Sequence, residues 1–244
     1  VKISRNRVFN AGQSGIRVEA ITGQQTSSVT ISNNMVESST IQGIYVAGET
    51  SDLPPTAVLV SNNTVRNITV GNTNAIRVDG SLEPIVEGNQ TNVISGTALY
   101  VKGSPNALVR GNMIVDAGSN GLNTDSSHGS SITGNTIKDC SSYAIVSSGA
   151  SDLHISDNVI VGAGRNGTTP GAIRISTSGS DRAFITGNRV RKAGSGTETT
   201  RALSIASGMN DTIYTNNDFR GFGPEADAVQ DLGTGSIKGT NYYQ

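Results

Sequence analysis

The chain has 244 residues, enough for one large domain or one elongated repeat array. Lysine and arginine total 18 against 19 for aspartate and glutamate, so no polybasic surface argues for a nucleic-acid partner. Aromatic residues make up 4% and Gly, Ser, Thr and Asn are abundant, which is typical of many short strands joined by turns. No run of about 18 apolar residues predicts a membrane span. The chain opens on Val1 and shows no signal peptide, so we expect a piece of a longer or processed chain.

A short phrase with a central asparagine recurs along the chain. "VKISRNRV", "VTISNNMV", "VLVSNNTV" and "AFITGNRV" are four of its copies. A branched apolar residue stands three positions before and two positions after nearly every copy of the asparagine, with Thr91 as an exception. The asparagines recur at intervals of 23 to 30 residues, at Asn6, Asn34, Asn63, Asn89, Asn112, Asn135, Asn158, Asn188 and Asn217. Self-similarity at such a period predicts a solenoid.

A second phrase, of the form [GA]-[IVL]-x-[VI], falls between the asparagines and appears as "GIYV", "AIRV" and "ALYV". Each repeat therefore holds three short strands with alternating apolar residues. Strands this short become stable when identical coils stack and bury a continuous apolar column. The sequence predicts an all-β, right-handed parallel β-helix of about nine coils, a single domain over residues 1–244 that is roughly 40 Å long at about 4.8 Å per coil.

The repeated asparagine is interpreted as structural. Asparagine tolerates the left-handed backbone conformation of a tight bend, and stacked side-chain amides can hydrogen-bond from coil to coil. Cys140 falls in a column of small residues five positions after the asparagine, and we interpret it as core filler. A single cysteine excludes an internal disulfide.

These phrases resemble the repeats of the pectin-lyase-like superfamily of right-handed β-helices, which includes pectate lyases, alginate epimerases and phage tailspike depolymerases. The resemblance covers the whole chain. It implies a polysaccharide partner and an extracellular, cell-surface or virion location. The tailspike members imply a homotrimer or attachment to further domains. Such a fold does not by itself establish an activity.

Coil length varies in an ordered way. The turn-like insertions "ITGQQTSS", "GETSDLPPT", "GAGRNGTTPG" and "KAGSGTETT" flank the strand face that the second phrase forms. The coils of residues 75–150 are the shortest, and they leave this face bare between the insertions. Insertions on one face of a solenoid often mark its binding face.

Polar and aromatic side chains concentrate on that face. Its outward residues are Arg77 and Asp79, Tyr100 and Lys102, and Asn123 and Asp125, with Tyr45 and Arg174 on coils to either side. Sugar rings stack on tyrosine, sugar hydroxyls pair with Asp or Asn, and cations neutralise sugar carboxylates. The pattern therefore predicts a polysaccharide groove.

The catalytic candidates are Asp79, Lys102, Asp125 and His128. The two aspartates lie two coils apart, about 9.5 Å, near the upper range for an inverting hydrolase pair and too far for a retaining one. Lys102 between two carboxylates stays charged, which suits a clamp for a substrate carboxylate better than a lyase base. His128 lies in the loop at the edge of the face and is a candidate general acid or base.

Other interpretations stay open. Asp79, Lys102 and Asp125 could form only a surface charge ladder, and the chain could be a non-catalytic stalk, adhesin or glycan-binding module. "NTD" at 123–125 resembles polygalacturonases, whose paired aspartates and Gly-His-Gly are missing here. Calcium is the one metal ion that the sequence leaves open, at Asp79 and Asp125, although Lys102 argues against it.

Overall fold

The computed structural model describes residues 1–20, 27–48, 54–71, 73–167, 171–176, 182–194 and 198–243. The first strands are β1 (Lys2–Ser4), β2 (Arg7–Phe9), β3 (Ile16–Glu19), β4 (Val29–Ser32), β5 (Met35–Glu37), β6 (Gln42–Ala47), β7 (Val58–Ser61), β8 (Thr64–Ile68) and β9 (Asn74–Asp79). They are followed by β10 (Ile85–Glu87), β11 (Gln90–Ile94), β12 (Thr97–Lys102), β13 (Leu108–Arg110), β14 (Met113–Ala117), β15 (Leu122–Asp125), β16 (Ser131–Thr133), β17 (Thr136–Lys138) and β18 (Ile145–Ser148). The last elements are β19 (Leu153–Ser156), β20 (Val159–Val161), β21 (Ile173–Ser176), β22 (Ala183–Thr186), β23 (Arg189–Arg191), β24 (Leu203–Ile205), β25 (Ile213–Thr215), the short helix α1 (Glu225–Ala228), β26 (Val229–Asp231) and β27 (Ile237–Lys238).

The strands form three parallel sheets, and each complete coil contributes one strand to each sheet. Sheet A has ten strands, in the order β1-β4-β7-β10-β13-β16-β19-β22-β25-β27. Sheet B has eight, in the order β2-β5-β8-β11-β14-β17-β20-β23, and sheet C has nine, in the order β3-β6-β9-β12-β15-β18-β21-β24-β26. The predicted parallel β-helix with three strands per coil is confirmed, with about eight complete turns where about nine were expected.

The core is the column of inward residues that the sequence pattern predicts. Ile31, Val60 and Ile132 of sheet A are fully buried, as are their counterparts on the other two sheets. Thr91 also faces inward, and its buried hydroxyl has no hydrogen-bond partner within the described residues. Cys140 is buried as core filler, and burial raises the pKa of its thiol to about 12.

The small residue that opens the second phrase is required where sheet B turns toward sheet C. A Cβ atom on Gly43 would lie 2.2 Å from Cγ1 of Val65 and 2.6 Å from the carbonyl oxygen of Ala75. Gly43 therefore has no room for a side chain, whereas the equivalent position of the next coil holds the fully buried methyl group of Ala75.

The repeated asparagines form a hydrogen-bonded ladder at the turn between sheets A and B. Each Oδ1 accepts bonds from the backbone N–H and the Nδ2 of the asparagine one coil earlier, as Asn135 does from Asn112 at 3.0 and 2.9 Å. Nδ2 also donates to a main-chain carbonyl of the preceding coil, as Asn112 does to Val86 at 3.0 Å. Asn241 extends the ladder beyond the nine predicted members.

The sequence predicted the left-handed backbone conformation at the ladder asparagine, but this conformation lies one residue earlier. The residue before each of the nine predicted asparagines has the positive φ, for example Asn33 at 57° and Gly88 at 62°. The ladder asparagine itself does not need this conformation, since its role is carried by the side chain. Glycine, asparagine or aspartate therefore precedes most ladder positions, because these residues adopt a left-handed conformation at low cost.

We predict that Asn112→Ala lowers the free energy of unfolding by about 3 kcal/mol, because it leaves donors of Asn89 and the carbonyl of Val86 buried without partners. Urea unfolding followed by circular dichroism measures the change. Asn92→Ala is the control, since Asn92 is exposed on the outer face of sheet B. Equal stability of the two variants would contradict a structural role for the ladder.

Candidate functional site

The outer face of sheet C carries the predicted residues in two columns, because the strands pair in register. One column contains Arg17, Tyr45, Arg77, Tyr100, Asn123, Val146 and Arg174, and the other contains Glu19, Ala47, Asp79, Lys102, Asp125, Ser148 and Ser176. Lys102 thus lies between Asp79 and Asp125, as predicted. Of the insertions expected to wall this face, residues 21–26, 49–53, 168–170 and 195–197 lie outside the described residues.

Asp79 is fully buried on this face, although its strand position points outward. Its Oδ2 accepts bonds from Nε and Nη2 of Arg77 at 2.7 and 2.6 Å and from the hydroxyl of Tyr45 at 3.1 Å. Its Oδ1 is buried without a hydrogen-bond partner within the described residues. The carboxylate therefore anchors Arg77 and Tyr45 beneath the surface.

Arginine and tyrosine side chains alternate along the first column. The guanidinium carbon of Arg17 lies 5.2 Å from the ring centroid of Tyr45, and that of Arg77 lies 5.4 Å from the same ring and 5.2 Å from Tyr100. Tyr45 stands between the two arginines in the column, so arginine covers both of its faces. The hydroxyl of Tyr45 is held by Asp79.

A second tyrosine–aspartate couple lies two coils further on and is more open. The hydroxyl of Tyr100 donates to Oδ2 of Asp125 at 3.2 Å, and Ser126 Oγ donates to Oδ1 at 3.1 Å. Asp125 is partly exposed, unlike Asp79. Asn123 stacks beside Tyr100, and its buried Oδ1 has no partner in the part of the chain that the structure describes.

Both phenols are held in the protonated form. Burial, followed by the charge of Asp79, raises the pKa of Tyr45 above its usual value. Burial, followed by the charge of Asp125, raises the pKa of Tyr100 in the same way. Tyr100 therefore keeps its proton at neutral pH and donates it in the hydrogen bond to Asp125.

The remaining candidates lie further from these couples. His128 is exposed in the turn that leads from sheet C to sheet A, and its Nδ1 accepts the backbone N–H of Ser151 at 3.1 Å. In a neutral ring this leaves the proton on Nε2. Arg174 donates to the hydroxyl of Tyr143 and lies 5.3 Å from that ring. Tyr143 was missed because it precedes the strand and belongs to neither column.

Two adjoining cavities of about 580 and 540 Å³ lie away from these columns. They occupy the turn between sheets C and A and the outer face of sheet A, and both are lined by Asp152, Arg182 and Asp211. The described residues contain no group of three or more His, Cys, Asp or Glu suited to a metal ion. Within the same residues, no helix has the length and apolar character needed to cross a bilayer.

A protein-family model described as the right-handed β-helix region matches residues 42–219, which is more than half of the chain. The chain belongs to the right-handed β-helix family. No curated protein sequence matches it. Its fold is similar to that of an alginate lyase from Paenibacillus sp. str. FPU-7, with a TM-score of 0.67, 13% identity and 98% of each chain covered.

Two phage structures share the same fold. One is the enzymatically active domain of tailspike protein 2 of bacteriophage CBA120, with a TM-score of 0.57 and 17% identity over 88% of this chain. The other is the full-length tailspike protein 2 from an Escherichia coli O157:H7 bacteriophage, with a TM-score of 0.56 and 16% identity over 89% of this chain. The β-helix covers 39% and 38% of these longer chains. Identities this low establish the shared fold alone.

We predict that Asp79→Asn lowers the free energy of unfolding by about 2 kcal/mol, because it leaves the mostly buried guanidinium of Arg77 without its counter-charge. The matched control is Asp152→Asn, which breaks a solvent-exposed ion pair with Arg182 and should cost under about 0.5 kcal/mol. Chemical denaturation of both variants measures the difference. A cost at Asp79 no larger than at Asp152 would show that the pair is not a structural anchor.

The raised pKa values of Tyr45 and Tyr100 predict that the folded chain loses stability at alkaline pH. Because the pKa values of Tyr45 and Tyr100 are higher in the folded chain, the unfolded chain releases these protons first as pH rises. The stabilisation is complete below the ordinary tyrosine pKa and is lost as pH rises toward the folded values. Urea unfolding at neutral and alkaline pH should show a smaller loss for a Tyr45→Phe, Tyr100→Phe double variant than for the wild type. An identical pH dependence would contradict this assignment.

Proposed function

We propose that the outer face of sheet C binds a polysaccharide and cleaves it at the coils that carry Tyr100 and Asp125. One observation carries the proposal: a hydrogen-bonded phenol and carboxylate stand on an open face, in register with the cation of Lys102. Such a group combines proton transfer with stabilisation of negative charge. The fold that this chain shares with an alginate lyase and with phage tailspikes supports a polysaccharide substrate.

β-Elimination fits these residues better than hydrolysis. A glycoside hydrolase needs two carboxylates that flank the scissile bond. In the described strands β9, β12 and β15, Asp79 is fully buried and Asp125 is the accessible carboxylate. β-Elimination instead needs one base, one acid and a cation that neutralises a uronate carboxylate. The substrate class is therefore a polysaccharide that contains uronic acid.

Each residue of the couple has a defined step. Asp125 removes the proton next to the substrate carboxylate, the electron pair forms a carbon–carbon double bond, and the bond to the leaving glycosidic oxygen breaks. Tyr100 donates its proton to that oxygen and regains one from Asp125 through their hydrogen bond. Lys102 neutralises the substrate carboxylate, and Asn123 orients the sugar. No water is added and no oxidant is consumed.

The other candidates support this arrangement. Asp79 is a positioning residue, because it holds Arg77 and Tyr45 and a polymer on the face does not reach its buried carboxylate. Arg77 stacks on Tyr100 and fixes the plane of its ring. His128 lies at the edge of the face, where its Nε2 proton can bond a sugar hydroxyl. Arg174 extends the face toward later coils.

We predict that incubation with alginate, pectate and hyaluronate releases unsaturated oligosaccharides from at least one polymer. Their double bond is conjugated to the carboxylate and absorbs ultraviolet light, and their masses are one water lighter than those of hydrolysis products. Asp125→Asn should lower kcat about 100-fold. Glu87→Gln is the matched control, because Glu87 is a carboxylate in an exposed ion pair on sheet A.

The outcomes separate the alternatives. Fully hydrated products would replace the lyase assignment with a hydrolase. An Asp125→Asn variant with the activity of Glu87→Gln would remove Asp125 from the reaction. Intact polymer across the whole panel would overturn the catalytic proposal.

A non-catalytic glycan-binding module is the second candidate. The observation in its favour is that Arg77 and Tyr45 both bond to Asp79 and contact each other, as the side chains of a purely structural charge ladder would. Such a module would slow the electrophoresis of the protein in gels that contain the polymer, and it would release no oligosaccharide.

A further inference from the structure

A cluster of positive charge lies at the C-terminal end of sheet B, outside the site described above. Asp218 continues sheet B beyond β23, through a parallel bridge to Arg189. Its Oδ2 accepts bonds from Nη2 of Arg191 and, at 2.8 Å, Nη2 of Arg220, and Nε of Arg189 lies 3.8 Å away. Its Oδ1 accepts a bond from Nε of Arg220 at 2.9 Å.

Three guanidinium groups thus share one carboxylate. By contrast, Arg66 pairs with Glu37 and Arg110 pairs with Glu87 in ion pairs of one cation and one acid. Arg220, followed by Arg191, holds the pKa of Asp218 well below its usual range. A single carboxylate neutralises one positive charge, so the cluster keeps a net positive charge.

The described strand next to β23 in sheet B does not supply the missing negative charge. The strand stacked on β23 pairs Val159 with Arg189 and Val161 with Arg191, and both valines face outward without charge. Lys192 follows Arg191 and adds a further cation, which lies 5.0 Å from the ring of Phe222.

Glu198, the next acidic residue along the chain after Lys192, accepts hydrogen bonds from the main chain. Glu198 accepts the N–H groups of Ala193 and Gly194 at 2.8 and 3.3 Å.

The guanidinium groups are accessible to a ligand. The side chains of Arg189 and Arg220 are 59% and 58% exposed, whereas Arg191 is 27% exposed and donates to the main-chain carbonyls of Val190 and Asp218. Arg191 therefore anchors the cluster, and the two outer arginines present donors to solvent. Guanidinium groups bind carboxylate and sulfate through paired hydrogen bonds.

We propose that Arg189, Arg191, Lys192 and Arg220, here called the basic patch, bind the acidic groups of a polysaccharide at a second site, on a different sheet from the catalytic face. The partner chemistry is a carboxylate or sulfate carried on a sugar chain. The proposal rests on the proposed function only for its choice of a polysaccharide. A second contact on sheet B would hold a long polymer near the protein after each cleavage.

Affinity electrophoresis in gels that contain alginate, heparin or dextran tests the basic patch. Alginate carries carboxylates, heparin carries sulfates as well, and dextran is neutral. We expect retardation by at least one acidic polymer, no retardation by dextran, and weaker retardation at higher ionic strength, because salt screens exposed charges. A gel with oligodeoxythymidylate tests whether the patch prefers a phosphate backbone.

Variants that change the charge of the basic patch in opposite directions test the proposal further. An Arg189→Gln, Arg220→Gln double variant should weaken binding about tenfold, and Asp218→Asn should strengthen it, because it removes the one acid of the cluster. The matched control carries Arg66→Gln and Arg110→Gln, which remove two exposed arginines from one-to-one ion pairs and change net charge equally. Circular dichroism confirms that each variant is folded.

Equal binding by the two double variants would overturn the proposal, as would retardation by dextran or stronger retardation by oligodeoxythymidylate than by either acidic polymer. Retardation that depends on the basic patch, with every polymer left intact, would support the second binding site. It would reject only the proposed cleavage on sheet C. Cleavage of alginate oligosaccharides with no retardation dependent on the patch would support the reaction on sheet C and reject the second site.

Discussion

The ladder of buried asparagine amides is the interaction on which the rest of the structure depends. A buried amide is costly unless its donors and acceptor are paired, and here each coil supplies the partners for its neighbour. Because every amide bonds to the coil above and the coil below, a shift of register would break several bonds at once. The ladder therefore sets how each coil lies on the next, and the apolar columns inside follow from it.

The same register arranges the outer faces. Residues that are 23 to 32 positions apart in the chain come to lie side by side on sheet C, where Arg77 fits between Tyr45 and Tyr100. Their chemistry is independent of the core, since any polar residue can occupy an outward position without disturbing the ladder. This explains how one fold, at 13 to 17% identity, can carry different surfaces.

Positive charge is balanced in different ways on sheet C and on sheet B of the β-helix. On sheet C, Arg77 has its own carboxylate in Asp79, which is fully buried. At the end of sheet B, three arginines share Asp218 and their charge remains exposed. The first arrangement stabilises side-chain positions, whereas the second leaves an attraction for a negative partner.

The sequence by itself determined the fold, the three strands of each coil, the inward columns and the register, because a periodic pattern specifies which residues repeat on which face. It also placed Tyr100, Lys102 and Asp125 side by side. Only the tertiary structure decided that Asp79 is buried while Asp125 stays accessible, since burial depends on how long side chains fold over their neighbours.

Only the tertiary structure showed which residue of the asparagine turn is left-handed, because the period of the sequence does not encode the backbone angles of a bend. It also showed that Arg174 contacts Tyr143, because the period does not encode contacts between different columns. The convergence of three arginines on Asp218 required the coils to stack, since Arg189 and Arg220 belong to different coils.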